Sequence, residues 1–295
     1  MKVIVLRHDV DMLPGKSLEF AKIQNDHGIS GSYYFRALRN DQDEKIITQI
    51  TGLGHEIGYH YENIVFARQK IKGKKQKEEN DEDFDKYVAK LAIEIFIENL
   101  EKLRKIVPIN TICMHGSPMS RWDSRLLWKY YDYRDFGISG EPYFDIDFNK
   151  VLYLTDTGRR WDGEKVNVRD KWHSVWNPSK SGSVLPMNFI SQTHEVPASQ
   201  NMEQKENGFK DWKVQPKINS AMRMSQEAIR FQQQYNFRFT FDIIKAAEEN
   251  RLPDKIMLTF HPQRWTDKPL PWTNELVWQN IKNIGKYFLI KMRNI

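Results

Sequence analysis

Four short apolar segments of this chain each lead directly into a histidine, and the first also leads into two acids. They are VIVLR at 3–7 before HDVD, HEIGY at 55–59 before His60, TICM at 111–114 before His115, and IMLTF at 256–260 before His261. Short apolar runs bounded by polar residues are typical of buried β-strands. In a parallel sheet or barrel, the residues that follow the strands meet at one edge. The pattern therefore predicts that acids and imidazoles from four strands converge on one site.

Segments with helical character separate these strands. Residues 14–28 lie between a Pro–Gly pair and a glycine, residues 43–54 end in glycine, and residues 83–105 place apolar side chains at helical spacing. Further helices are predicted near 220–236, 241–250 and 273–286, with further strands at 32–36, 151–154, 184–189 and 287–290. Alternating strands and helices predict an α/β fold with a parallel sheet or barrel.

The middle of the chain departs from this alternation. At about 136–219, strand-like pieces lie among Gly, Pro, Asp and Trp residues, and no helix is predicted there. We interpret this stretch as a strand- and loop-rich elaboration of one domain that spans residues 1–295. Two separate domains are the alternative.

Composition and charge exclude several classes of protein. The 295 residues contain no long apolar run and have a mean hydropathy of −0.68, so no membrane span is expected. The N-terminal segment becomes charged too early for a secretory signal, and the single cysteine, Cys113, cannot form an internal disulfide. A cytoplasmic protein is therefore expected. The net charge is +6, but the basic stretch at 70–77 directly precedes an acidic one, so nucleic-acid binding is not expected.

Acids and imidazoles at strand ends suit a divalent first-row metal such as zinc. Asp9 and Asp11 lie two residues apart, so on an extended strand they share a face. One of them can bind the metal while the other accepts a proton. Two simpler interpretations are open: the acids cap the helix that begins near Pro14, or His60 is a strand-end histidine without a ligand role.

These motifs resemble those of the polysaccharide deacetylases, which are the NodB-homology proteins of carbohydrate esterase family 4. The match runs in family order from residue 3 to about 265: VIVLRHDVD is similar to the first motif, GHEIGYH to the second and LTFHP to the last. The resemblance implies a distorted parallel β/α barrel of the NodB-homology type. It also implies a metal-dependent hydrolase that removes an acyl group from a non-peptide amide of an N-acylated sugar or similar small molecule.

The resemblance also implies roles for individual residues. Asp9 corresponds to the catalytic base and His261 to the general acid, while Asp11 and His60 correspond to metal ligands. The cofactor implied is a divalent ion, with zinc preferred. The expected partner is a small-molecule or carbohydrate substrate, with no nucleic acid and no membrane, and the sequence does not indicate the oligomeric state.

Two departures from the family pattern concern the metal site. Ile64 occupies a position where the family usually has a second histidine or a serine, and MHGSP at 114–118 replaces a motif that normally carries an arginine. We predict that His115 supplies the missing ligand, with Glu62 or solvent as alternatives. The departures also favour a second function, in which a degenerate barrel binds a carbohydrate or anionic ligand without turnover.

Three residues are predicted to contact the substrate. They are Glu62, Arg159 and Trp161, and the last two belong to TDTGRRWDG at 155–163, which loosely matches another family motif. Guanidinium and indole groups suit anionic or sugar ligands. An ordinary surface loop is the alternative for this segment.

Overall fold

The computed structural model of the chain describes residues 1–71, 81–116, 120, 122–161 and 226–293. Six parallel strands form one curled sheet, a half-barrel, in the order β4-β3-β2-β1-β6-β5. The strands are β1 (Val3–Val10), β2 (Ser32–Phe35), β3 (Glu56–Tyr61), β4 (Ile112–Met114), β5 (Leu152–Thr155) and β6 (Lys255–Phe260). Because β1 pairs with both β2 and β6, strands from both ends of the chain share this sheet.

The helices follow or precede the strands along the chain. They are α1 (Pro14–Asp26), α2 (Asp41–Gly52), α3 (Asn63–Lys70), α4 (Asp81–Arg104), α5 (Pro142–Asp145), α6 (Gln226–Gln233), α7 (Thr240–Glu248) and α8 (Pro269–Arg293). Short 3₁₀ segments lie at Ser124–Lys129, Tyr133–Phe136 and Pro262–Arg264. Among the described helices, none combines the length and apolar character needed to cross a membrane.

The predicted α/β architecture with a parallel sheet is confirmed, and two details of the prediction are wrong. Residues 287–290 do not form a closing strand, because they lie in α8; an apolar run of four residues is equally compatible with a strand and a buried helix segment. The stretch after 136 contains a helix after all, the single turn α5. The strand at 184–189 and most of the predicted elaboration at 136–219 lie outside the described residues.

Alternation along the strands divides the sheet into an apolar face and a polar face. On β3, Ile57, Tyr59 and Tyr61 are buried in the main hydrophobic cluster, and the rings of Tyr59 and Tyr61 contact Phe96 of α4. His60 lies between the two tyrosines in sequence, so its side chain points to the opposite face. The helices therefore cover one face, and the polar residues of the motifs share the other.

Gly58, on the polar face of β3, lies directly beneath the ring of Tyr34 on the neighbouring strand. A Cβ atom at this position would come within 2.4 Å of the Tyr34 ring and 3.0 Å of the backbone oxygen of Thr111. We therefore expect Gly58→Ala to lower the free energy of unfolding by ~1–3 kcal/mol, the usual range for overpacking. Urea unfolding measures this change. Gly52→Ala is the control, since nothing lies within 4 Å of that added Cβ, and equal stability of both variants would contradict the prediction.

Candidate metal centre

The polar face of the sheet gathers side chains from the ends of four strands. Neighbouring strands pair in a register that sets Asp9 beside Tyr34, Tyr34 beside Gly58 and His60 beside Cys113. Two residues beyond Asp9, His60 and Cys113, just after their strands end, lie Asp11, Glu62 and His115. His261 directly follows β6 in the same way. The period of two in β-strands therefore places the predicted residues on one face.

Three imidazoles converge on the carboxylate of Asp11. Its Oδ1 lies 3.4 Å from Nε2 of His60 and 3.3 Å from Nε2 of His115, and its Oδ2 lies 3.9 Å from Nε2 of His261. The side chain of His60 is only 2% exposed, whereas that of Asp11 is 20% exposed and so retains access to solvent. The structure thus brings together Asp11, His60, His115 and His261, as the strand-end pattern predicts.

The opposite nitrogen of each imidazole is held by an acceptor. Nδ1 of His60 donates to the backbone oxygen of Cys113 (2.9 Å), Nδ1 of His115 donates to Oε2 of Glu62 (3.0 Å), and Nδ1 of His261 donates to Oδ1 of Asp156 (2.5 Å). These partners can only accept, so each Nδ1 carries the proton. In the neutral ring, each Nε2 then presents a lone pair toward Asp11. Metal-binding histidines are commonly oriented in this way.

The surroundings of Asp11 fit a cation. Its Oδ1 is buried and has no hydrogen-bond partner in the described residues, and lone pairs of His60 and His115 face it. Burial alone would raise the pKa of Asp11, but the close contact with His60 and the positive charge that His115, His261 and His60 carry when protonated hold that pKa well below its ordinary value. Ligand atoms of Asp11, His60 and His115 lie within 4.8 Å of one another. This group can hold a metal ion, and two imidazoles with a carboxylate are a donor set that zinc accepts.

Glu62 orients His115 and does not itself point into the cluster. Its Oε2 accepts the hydrogen bond from His115, and its Oε1 forms an ion pair with Arg36. Burial opposes ionisation of Glu62, but the bond and charge of His115 together with Arg36 lower its pKa. Burial likewise opposes a charge on His115, yet Glu62 and Asp11 raise its pKa. Of the alternatives for the third ligand, the geometry favours His115.

Asp9 is bound by an arginine that precedes it on β1. Nε and Nη2 of Arg7 donate to the two carboxylate oxygens of Asp9 at 2.8 and 2.5 Å. Asp9, His60 and Cys113 form a second group whose ligand atoms lie within 4.8 Å of one another. Because Arg7 already occupies both oxygens of Asp9, the group around Asp11 is the better candidate for a cation.

Asp156 is a functional candidate to which the sequence assigned no role. Besides His261 Nδ1, its carboxylate accepts hydrogen bonds from the backbone N–H of His261 (3.1 Å), Nη1 of Arg264 (3.1 Å) and Nε1 of Trp265 (2.7 Å). Burial would raise the pKa of Asp156, but His261 and Arg264 lower it. The sequence feature that could have identified Asp156 is its position directly after β5, since the other site residues also lie at strand ends.

Of the other residues predicted to contact the substrate, Arg159 lies beside Asp156: its backbone N–H donates to the backbone oxygen of Asp156 (2.9 Å), and its Nη1 donates to the backbone oxygen of Arg264 (3.4 Å). Trp161 is buried in the second hydrophobic cluster, where its indole N–H donates to Oγ1 of Thr240, and Arg159 lies against the ring of Trp272. Their assignment as substrate contacts stays a prediction. Ile64 is fully buried in the main cluster. The helix-capping alternative for the two acids is wrong, because the N-cap of α1 is Leu13, with no side-chain cap.

A buried glutamate anchors the strand that carries His115. Glu141 is fully buried, and its Oε1 accepts hydrogen bonds from the backbone N–H of Met114 (3.0 Å) and the hydroxyl of Tyr61 (3.3 Å). Burial raises the pKa of Glu141 to about 7, although the Met114 N–H and the charges of Arg125 and Arg7 counteract part of this increase. The carboxyl group therefore changes charge close to neutral pH.

This pKa predicts how stability depends on pH. Between its ordinary value of 4.5 and about 7, the folded protein keeps a proton on Glu141 that the unfolded chain has lost. Stability from this group is therefore present at low pH and falls as pH rises through this window, by ~3 kcal/mol in total. We expect Glu141→Gln to flatten the pH dependence of urea unfolding, with Glu101→Gln, at an exposed position, as the control. Parallel pH profiles for parent and Glu141→Gln would contradict the prediction.

The chain was also compared with known proteins. No protein-family model matches it, and the search of curated proteins finds no significant match. The family resemblance of the motifs stays a prediction.

Proposed function

We propose that the chain is a metal-dependent hydrolase of the polysaccharide deacetylase type, which cleaves the amide of an N-acylated sugar or a similar small molecule. The observation that carries this proposal is the convergence of three imidazole Nε2 atoms on the Asp11 carboxylate, 3.3–3.9 Å away. Asp11, His60 and His115 would hold a divalent ion, preferably zinc. When bound, such an ion lowers the pKa of water and polarises a carbonyl oxygen.

The proposed reaction uses two further side chains to move protons. Asp9 accepts a proton from the attacking water, whose oxygen forms the new bond to the carbonyl carbon. His261 donates a proton from Nε2 to the amide nitrogen as the C–N bond breaks, so the products are a carboxylic acid and a free amine. The ionised carboxylate of Asp156, held on His261 Nδ1, stabilises the imidazolium from which this proton comes. An acid and a base at one cluster are what amide hydrolysis requires.

Different observations support the reaction type and the substrate class. The geometry supports hydrolysis, because the candidate ligands, acid and base come from the ends of β1, β3, β4 and β6 and meet at one edge of the sheet. The amino-sugar class is supported by the motifs VIVLRHDVD, GHEIGYH and LTFHP.

The test combines metal analysis with an amide-hydrolysis assay. Protein loaded with zinc should release acetate from N-acetylated glucosamine oligomers, and removal of the metal by a chelator should abolish release until zinc is restored. Protein that binds zinc and the oligomers but releases no acetate would contradict the proposal and favour the degenerate barrel that only binds a ligand.

A further inference from the structure

Arg7 and Asp9 form a buried ion pair at the candidate metal centre. The guanidinium contacts both oxygens of the carboxylate, the bidentate arrangement that arginine favours. The two side chains are only 2% and 4% exposed. Because the residues lie two apart on β1, the strand itself sets them side by side. The pair therefore fixes the orientation of the Asp9 carboxylate.

Asp9 also lies within reach of an ion that His60 would bind. Its Oδ2 is 3.8 Å from Nε2 of His60, compared with 3.4 Å for Oδ1 of Asp11. Carboxylate oxygens are ligands for zinc, so an unrestrained Asp9 would compete for the ion. A carboxylate that binds the ion directly is a poorer proton acceptor, because the ion withdraws its electron density.

We propose that Arg7 is a positioning residue that holds the Asp9 carboxylate out of the metal coordination sphere and so reserves it as the base. This inference rests on the proposed function. The ring of Tyr143, 5.3 Å from the Arg7 guanidinium carbon, supports the arginine from the side. Arg7 and Asp9 both lie in β1, so the arginine that restrains the carboxylate comes from the same strand as the base.

The test uses cobalt(II) in place of zinc, since its visible absorption weakens as its coordination number rises. In Arg7→Met, the freed Asp9 should bind the metal, so visible absorption should fall and zinc affinity should be at least that of the parent. The kcat should fall by ~100-fold or more with little change in KM. Arg7→Lys, which keeps a charge but has no bidentate fork, should show a smaller shift and covers the case in which Arg7→Met does not fold.

Two variants make the result specific. Arg125→Met removes a second arginine that lies against the Tyr143 ring, at 5.4 Å, but that pairs with Asp123; its cobalt spectrum should match that of the parent. The double variant Arg7→Met/Asp9→Asn should also return toward the parent spectrum, because an amide is a much weaker ligand than a carboxylate.

The outcomes separate this inference from the proposed function. Identical cobalt spectra for the parent and the Arg7 variants would overturn the inference, as would a shift that persists in the double variant. If the parent binds cobalt but hydrolyses no amide, the proposed function fails, and the spectra still decide the role of Arg7. Parent protein that binds neither cobalt nor zinc would overturn both.

Discussion

Asp9→Asn is expected to lower kcat by ~10²–10⁴-fold while the protein keeps its zinc. The substitution preserves the shape of the side chain and removes the proton acceptor, and general-base catalysis is typically worth that factor. Zinc should stay bound because Asp11, His60 and His115, whose ligand atoms lie within 4.8 Å of one another, are unchanged. Metal analysis of the purified variant, together with kcat for release of acetate, measures both effects.

The matching variant is Asp11→Asn, which changes an acid two residues away on the same face. It should lose zinc and therefore lose turnover as well. If Asp9→Asn removes the metal and Asp11→Asn retains it, the base and the ligand have been assigned in the wrong order. Asp9→Asn alters the buried ion pair between Arg7 and Asp9, whereas Asp11→Asn leaves that pair in place. Thermal unfolding of both variants therefore measures how much the pair contributes to stability.

The convergence of the strand-end histidines could be predicted because each strand is recognisable from a short segment of sequence, and because parallel strands end at the same edge of a sheet. Each apolar run that leads into one of these histidines identifies a strand, and parallel strands bring their following residues to one edge. His60, His115 and His261 come together for this reason, although the first and the last are 201 positions apart in the sequence. Proline and glycine boundaries also predicted α1 and α2, and helical spacing of apolar residues predicted α4; all three helices end near the residues expected.

The partners of these residues could not be predicted in the same way. Asp156 holds His261 across 105 positions of sequence, and no local pattern encodes such a pair. Arg7 lies within an apolar run, where the sequence shows a strand but not that the guanidinium turns toward Asp9. Helix α3 was missed because its eight residues, NIVFARQK, have no side-chain cap at the N-terminus and are too few to show a helical period.

Aromatic residues show a related limit of sequence reasoning. Trp161 follows two arginines in a turn, which suggests a sugar-stacking role, but its ring packs edge-on against Phe260 in the second cluster, 5.6 Å away. Tryptophan occurs both in hydrophobic cores and at binding surfaces, so the residue type alone does not distinguish the two. Burial depends on which distant residues pack against it, and only the structure supplies that.

Asp11→Ala is expected to lower zinc affinity by at least ~100-fold. Apparent binding free energies of ~10–16 kcal/mol in four-ligand zinc sites correspond to about 3 kcal/mol for each ligand, or roughly two powers of ten in Kd. Asp11 is the carboxylate on which all three imidazoles converge, so its loss removes the acidic ligand that they share. Isothermal titration of zinc into metal-free protein measures the change.

Two comparison variants show whether this loss reflects direct coordination. Glu62→Gln removes the carboxylate that orients His115 and pairs with Arg36, and changes of this kind typically cost ~10–100-fold in metal affinity. Asp26→Ala, at an exposed position at the end of α1, should bind zinc as the parent does. Zinc should also raise the Tm of the parent and of Asp26→Ala, because a ligand that binds only the folded state stabilises it by ~2.7 kcal/mol at 100 times its Kd. An Asp11→Ala protein whose Tm rises equally with zinc would place the ion elsewhere and remove Asp11 from the centre.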